Sequence, residues 1–119
     1  MKVTYKIENG KNVKVKTYAD GRVYKYDEKE NMIYFNFYSI GLHEGWYEYD
    51  SKGHCIHHKD SSGLEQWHEY DSNGNETHFK SNRGMEWWCE YDADGKLIYN
   101  KNSRGYEWFA EDYEKRRVC

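Results

Sequence analysis

Proline is absent from this 119-residue chain, and leucine and alanine occur three times each. Leucine and alanine are strong helix formers, so their scarcity argues against a helical protein. Proline cannot donate to a sheet ladder, and its absence suits a chain that is nearly all paired strand. Cysteine is scarce and odd in number. Cys55, Cys89 and Cys119 lie on no Cys-x-x-Cys spacing, which speaks against a disulfide framework or a cysteine-rich zinc site and predicts free thiols. Long apolar runs are missing too. The opening MKVTYKIENG alternates instead of forming the apolar stretch of a secretory signal, and nothing approaches the roughly 20 apolar residues of a membrane span. A cytoplasmic protein with no membrane partner is expected. The formal net charge of −3 supplies no basic stripe, so direct nucleic-acid binding is not the leading expectation.

What the chain has instead is rings: 13 Tyr, 5 Trp and 4 Phe. A low content of Leu, Ile, Val and Phe accompanies disorder when net charge is high, but here the charge is small and the rings offer large apolar surfaces to bury. Tyr, Trp, Phe and β-branched residues favour pleated surfaces, so the composition predicts an all-β fold. The length suits a single domain, residues 1–119.

An internal repeat organises residues 41–113. The segments GLHEGWYEYDSKGH, GLEQWHEYDSNGN and GMEWWCEYDADGK recur every 21 residues, followed by a degenerate GYEWFAEDYEK. Glycines split each repeat into half-units of 10 or 11 residues, one strand and one tight turn each. Asn73-Gly74, Asp94-Gly95 and Lys52-Gly53 predict two-residue type I′ turns. Asp60 to Gly63, Ser81 to Gly84 and Asn102 to Gly105 predict type I turns closed by a glycine bulge. Alternating the two loop types is expected to keep an odd period on one face. Residues 1–40 carry irregular hairpins with strands at Lys2–Glu8, Asn12–Tyr18, Arg22–Tyr26 and Met32–Tyr38, turns at Asn9-Gly10 and Asp20-Gly21, a longer loop at Asp27 to Asn31, and a hinge at Ser39 to Gly45. The expectation is an antiparallel meander of about eleven short strands, forming either a twisted open sheet or a partly closed barrel.

Strand alternation assigns one face to Glu65, Trp67, Glu69, His78, Lys80, Glu86, Trp88, Glu90, Tyr99, Lys101, Glu107, Phe109 and Glu111. Cross-strand pairs are expected at Lys59–Glu65, Lys80–Glu86, Lys101–Glu107, Glu48–His57 and Glu69–His78. The opposite face, with Ile56, Leu64, His68, Tyr70, Phe79, Met85, Trp87, Cys89, Tyr91, Ile98, Tyr106, Trp108 and Ala110, is expected to be the core. A second copy or a partner would cover it if the sheet stays open, so a homodimer is one expectation.

The EYDSKGH, EYDSNGN and EYDADGK segments resemble the Tyr-Asp repeats of bacterial RHS proteins over about residues 46–112. That resemblance implies β-sheet repeats that encapsulate or present other elements without catalysis. The Arg- and Thr-rich segment usual after the glycine in that family is missing here, and 119 residues are too few to enclose a toxin.

No catalytic or metal constellation is expected. In His54-Cys55-Ile56-His57-His58, period-2 alternation sends Cys55 and His57 to one face and His54 and His58 to the other, so they do not converge. Asp92-Ala93-Asp94-Gly95 lacks the later ligands of a calcium loop. The repeated glutamates form a solvated stripe and lack the unique pocket of an acid–base pair. No cofactor is implied. The feature with functional content is the row Trp46, Glu48, Trp67, Glu69, Trp88, Glu90, Phe109 and Glu111. Rings of this kind anchor protein interfaces, and an acidic comb complements a basic groove. The reading is a non-catalytic protein-interaction module, an inhibitor or adaptor of a nuclease or ribonucleoprotein, similar in size and character to phage anti-CRISPR proteins. Two alternatives stand beside it. One is single-stranded nucleic-acid binding, with bases on the ring row and Lys59, Lys80 and Lys101 on phosphates. The other is a scaffold or a fragment of a larger repeat array, in which the ring face is a stacking surface.

Overall fold

The computed structural model describes residues 1–37 and 43–113. Eleven strands, each antiparallel to its neighbour, follow one another in chain order as a meander: β1 Lys2–Glu8, β2 Lys11–Thr17, β3 Arg22–Tyr26, β4 Met32–Phe37, β5 Glu44–Tyr49, β6 Cys55–Asp60, β7 Glu65–Tyr70, β8 Glu76–Ser81, β9 Glu86–Tyr91, β10 Leu97–Asn102 and β11 Glu107–Phe109. The chain forms two compact units, Met1–Glu65 and Gln66–Cys119. Neither closes on itself, since the strand order is linear within each. The expected hinge lies partly outside the described residues, and its last residue, Gly45, belongs to β5. Lys115-Arg116-Arg117 and Cys119 also lie outside the described residues.

The turns differ from expectation in an informative way. Asn9 and Gly10 do form a two-residue turn, with φ of 52° and 78°, joining the directly paired Glu8 and Lys11. The first glycine series does not. The amide of Gly53 bonds Asp50 O, that of Gly74 bonds Asp71 O and that of Gly95 bonds Asp92 O, as Gly63 bonds Asp60 O, Gly84 bonds Ser81 O and Gly105 bonds Asn102 O. All six turns are therefore one type, closed by a glycine at positive φ. The aspartate of each Tyr-Asp pair caps its turn: Asp71 Oδ1 accepts the amides of Asn73 and Asn75, both at 2.9 Å, and Asp92 Oδ1 those of Asp94 at 3.0 Å and Lys96 at 2.9 Å. Asp27 to Asn31 is the same turn, with Asp27 Oδ1 accepting from Lys29 and Asn31 and Glu30 at φ 66° in the glycine position. Tyr26-Asp27 is thus another Tyr-Asp pair, hidden because its turn lacks glycine.

With one loop type, a different device preserves the face. Glu69 opposes His78 but Tyr70 opposes Glu76, leaving Thr77 as a bulge; Glu90 opposes Tyr99 and Tyr91 opposes Leu97, leaving Ile98. The same step occurs at Tyr49–Cys55 and Tyr26–Met32, whereas β8 and β9 pair without a shift. One extra residue in every other hairpin reverses the alternation once per repeat, which an odd period needs. The bulge also corrects the histidine cluster. Cys55 lies opposite Tyr49 and His58 opposite Tyr47, while His57 lies opposite Glu48, so Cys55 and His57 occupy different faces.

Burial is thinner than a one-sided core predicts. Among the described residues the buried apolar side chains are Val13, Val15, Phe35, Phe79 and Ile98. The last two lie where the core was expected, but Met85, Tyr106 and Trp108 from the same expected core are exposed. Among the described residues of each unit the strands form one sheet with no second sheet packed on it, so burial comes from side chains of adjacent strands leaning on one another. Ile98 is the extreme, 1 % exposed in its bulge. Gly45 is the other specialised position. A Cβ there would stand 2.2 Å from Phe35 Cε1, because the Phe35 ring lies across the glycine of the neighbouring strand.

Candidate functional site: a ring-and-carboxylate face

The registers place the expected residues together. In the second unit Trp67 opposes Lys80, Glu69 opposes His78, His78 opposes Trp88, Lys80 opposes Glu86, Glu90 opposes Tyr99, Lys101 opposes Trp88 and Glu107, and Tyr99 opposes Phe109. Trp46 and Glu48 stand on the corresponding face of the first unit, opposite Lys59 and His57. Glu111 is the exception. The strand ends at Phe109, and Glu111 sits in the turn beyond it. A strand position for Glu111 is overturned: Ala110 still follows the β10 register, its amide bonding Ile98 O, and the chain turns only after it, the Tyr113 amide bonding Ala110 O.

In each unit this face carries bonds that sequence periodicity does not isolate. Tyr34, His57, His78 and Tyr99 each bond a glutamate on the following strand. Tyr34 donates to Glu44 at 2.5 Å, His57 Nε2 meets Glu65 at 2.6 Å, His78 Nε2 meets Glu86 at 2.7 Å, and Tyr99 donates to Glu107 at 2.8 Å. The glutamates recur at the 21-residue period, and each is the diagonal neighbour of its donor, a distance that long side chains span across antiparallel strands. The other imidazole nitrogen takes a second carboxylate: Nδ1 of His57 is 3.2 Å from Glu48, and Nδ1 of His78 is 3.4 Å from Glu69. Burial opposes charge on the His57 ring, but the hydrogen bonds and charges of Glu65 and Glu48 outweigh it and raise the pKa above the ordinary histidine value. Carboxylates on opposite nitrogens do not converge, and among the described residues no three His, Cys, Asp or Glu side chains form a metal-ligand cluster.

The rings are braced by the same partners. The His78 ring stacks on Trp88 at 5.2 Å and 9°, Tyr34 packs on Trp46 at 5.8 Å, and Tyr99 packs on Phe109 at 4.9 Å. Lys59 and Lys101 place their ammonium groups over Trp46 and Trp88, at 5.6 and 5.5 Å. The lysines opposite glutamates therefore also serve the rings. Tyr113 closes the end of the row: its ring meets Phe109 and Tyr99, and its hydroxyl donates to Glu90 at 2.6 Å. No periodic signal marked Tyr113, which follows the last repeat strand. Trp67 stays 37 % exposed and the Glu69 side chain 72 %.

The second unit also has a shallow groove of about 370 Å³, whose lining includes Asp71, Thr77, Cys89, Tyr91, Asp92 and Ile98. Burial pushes the Cys89 thiol up, against a lowering hydrogen bond with Tyr91, and burial with the neighbouring Cys89 and acids pushes Tyr91 up to about 12. Both groups are protonated at neutral pH, the reverse of an activated nucleophile. Among the described residues no helix is long and apolar enough to cross a membrane. A scan against protein-family models and a search of curated proteins gave no match to this chain.

Proposed function

We propose that the protein is a non-catalytic interaction module, a small inhibitor or adaptor whose ring-and-carboxylate face docks on a basic groove of a nucleic-acid-handling protein. The observation that carries this is the bracing of the row in the second unit. Trp67 and Glu69 reach solvent, while His78, Glu86, Trp88, Tyr99, Glu107 and Phe109 are held in fixed mutual contacts. Rings and carboxylates already ordered lose little side-chain entropy on docking. Bacterial Tyr-Asp repeats, which this sequence resembles, present other elements without catalysis, and that is consistent with a scaffolded surface. Direct stacking of nucleic-acid bases is disfavoured by Lys101 lying over Trp88 and by the interleaved carboxylates.

The test is capture of partners from candidate host cells on the wild-type chain and on Trp67→Ala and Glu69→Lys variants, with the captured protein then assayed for nucleic-acid binding. The reading expects a partner with a basic groove, released by raised salt, whose nucleic-acid binding is blocked by wild type and at least tenfold less by either variant. Full blocking by both variants, or tight binding of single-stranded RNA by the purified chain at physiological salt, overturns it.

A further inference from the structure

Among the described residues, none pairs with the outer edge of the first strand. β1 stands at the end of the strand order and pairs with β2 through seven consecutive residues without a bulge. Its two-residue turn makes Glu8 and Lys11 a hydrogen-bonded pair, so Lys2, Thr4, Lys6 and Glu8 direct their main-chain groups to β2. The amides and carbonyls of Val3, Tyr5 and Ile7 then point to the open side. Those same residues expose their side chains on one face: Tyr5 is 75 % exposed, Ile7 72 % and Val3 39 %. Sheet edges are ordinarily blunted by proline, a bulge, short length or a charge on the apolar face. β11 is only three residues long. β1 has none of these devices, and its lysines lie on the opposite face from Val3, Tyr5 and Ile7.

We infer that β1 is a homodimerisation edge, pairing antiparallel with β1 of a second copy about a two-fold axis at Tyr5. In that register Val3 opposes the partner's Ile7, Tyr5 opposes the partner's Tyr5, Thr4 opposes the partner's Lys6, and Lys2 opposes the partner's Glu8. The strand is self-complementary: apolar meets apolar on one face, and the terminal charges attract on the other. Centring the axis on Thr4 sets Lys2 opposite the partner's Lys6, and centring it on Lys6 sets the two Lys6 side chains opposite each other, so both registers bring like charges together. Centring it on Val3 or Ile7 leaves part of the strand unpaired. The Tyr5 register pairs all seven residues and satisfies the outward groups with about six main-chain hydrogen bonds.

Sedimentation equilibrium of the full chain tests this. Wild type is expected to be a dimer that does not grow further, and Tyr5→Lys, at an exposed position, a folded monomer. Lys2→Glu and Glu8→Lys each set like charges opposite one another, and each is expected to weaken the dimer about tenfold. An equimolar mixture of the two restores both attractions in a heterodimer and recovers the wild-type affinity to within about threefold. Glu8 also holds Lys25 at 2.9 Å and Lys6 at 3.2 Å within its own chain, so circular dichroism checks that Glu8→Lys folds. If it does not, Thr4→Glu, which tightens pairing with the partner's Lys6, and Thr4→Lys, which loosens it, read the same register. A monomeric wild type, a dimer that survives Tyr5→Lys, open-ended association, or a mixture no tighter than its components overturns the inference.

Discussion

The Tyr91 hydroxyl reaches across the sheet and donates to the main-chain carbonyl of Glu76 at 3.0 Å, and Tyr49 does the same to Met32 at 2.7 Å. In both cases the acceptor opens the strand that carries the preceding bulge, where the ladder shifts by one residue. Tyr49 and Tyr91 therefore each tie down a bulge, and Asp50 and Asp92 beside them cap the next turn. The recurrence of the pair follows from sheet construction alone.

Removing the Tyr91 hydroxyl as Tyr91→Phe should cost about 1 kcal/mol, read from urea unfolding. The hydroxyl carries an alkaline signature as well. Its pKa lies above the unfolded value, so its contribution is complete below about pH 10 and is lost as pH rises toward about 12. Wild-type stability should fall over that window more steeply than that of Tyr91→Phe; equal slopes would contradict the assignment.

Glu30 holds a left-handed conformation where its counterpart turns use glycine. Glu30→Gly should stabilise the first unit by about 0.5–1 kcal/mol although the exposed contact with Lys14 is lost, and Gly53→Glu should destabilise it by about 1–2 kcal/mol. Nothing lies within 4 Å of a Cβ at Gly53, so the second cost is conformational. Thermal melting measures both; equal effects in sign would defeat the equivalence of the two turns.

Gly45→Ala drives a methyl into the Phe35 ring and should cost about 1–3 kcal/mol. Trimming the ring as Phe35→Leu should make the second substitution less costly than in the wild-type background. Additive costs in the double-mutant cycle would show that the two residues do not meet as described.

His57 is bracketed by Glu48 and Glu65, and its raised pKa sets the sign of a pH effect. The stabilisation is fully present below about pH 6.5, the unfolded value, and is lost as pH rises through the higher folded value. Denaturant midpoints measured from mildly acidic to mildly alkaline pH should decline more for wild type than for His57→Gln. Parallel curves would remove the charge from these contacts.

Strand number, strand order and the membership of the ring-and-carboxylate face from Glu65 to Phe109 are legible in the sequence, because tight turns force neighbouring segments to pair and alternation then assigns faces. The Asn9-Gly10 turn is equally legible, since two successive positive φ values need those residue types. The turn at Glu30 was not, because a glutamate conceals a left-handed position. Nor were the bulges at Thr77 and Ile98, which have no residue signature; the odd period required some parity device, and only the folded register shows that a bulge supplies it.

Local chemistry thus determined the meander and its faces by itself. Tertiary structure decided which partner each side chain on those faces takes. Glu86 and Glu107 stand opposite lysines in the register, yet their carboxylates bond His78 and Tyr99 on the diagonal. Sheet twist sets those diagonals, and the choice among several neighbours within reach is made by geometry that no local pattern records.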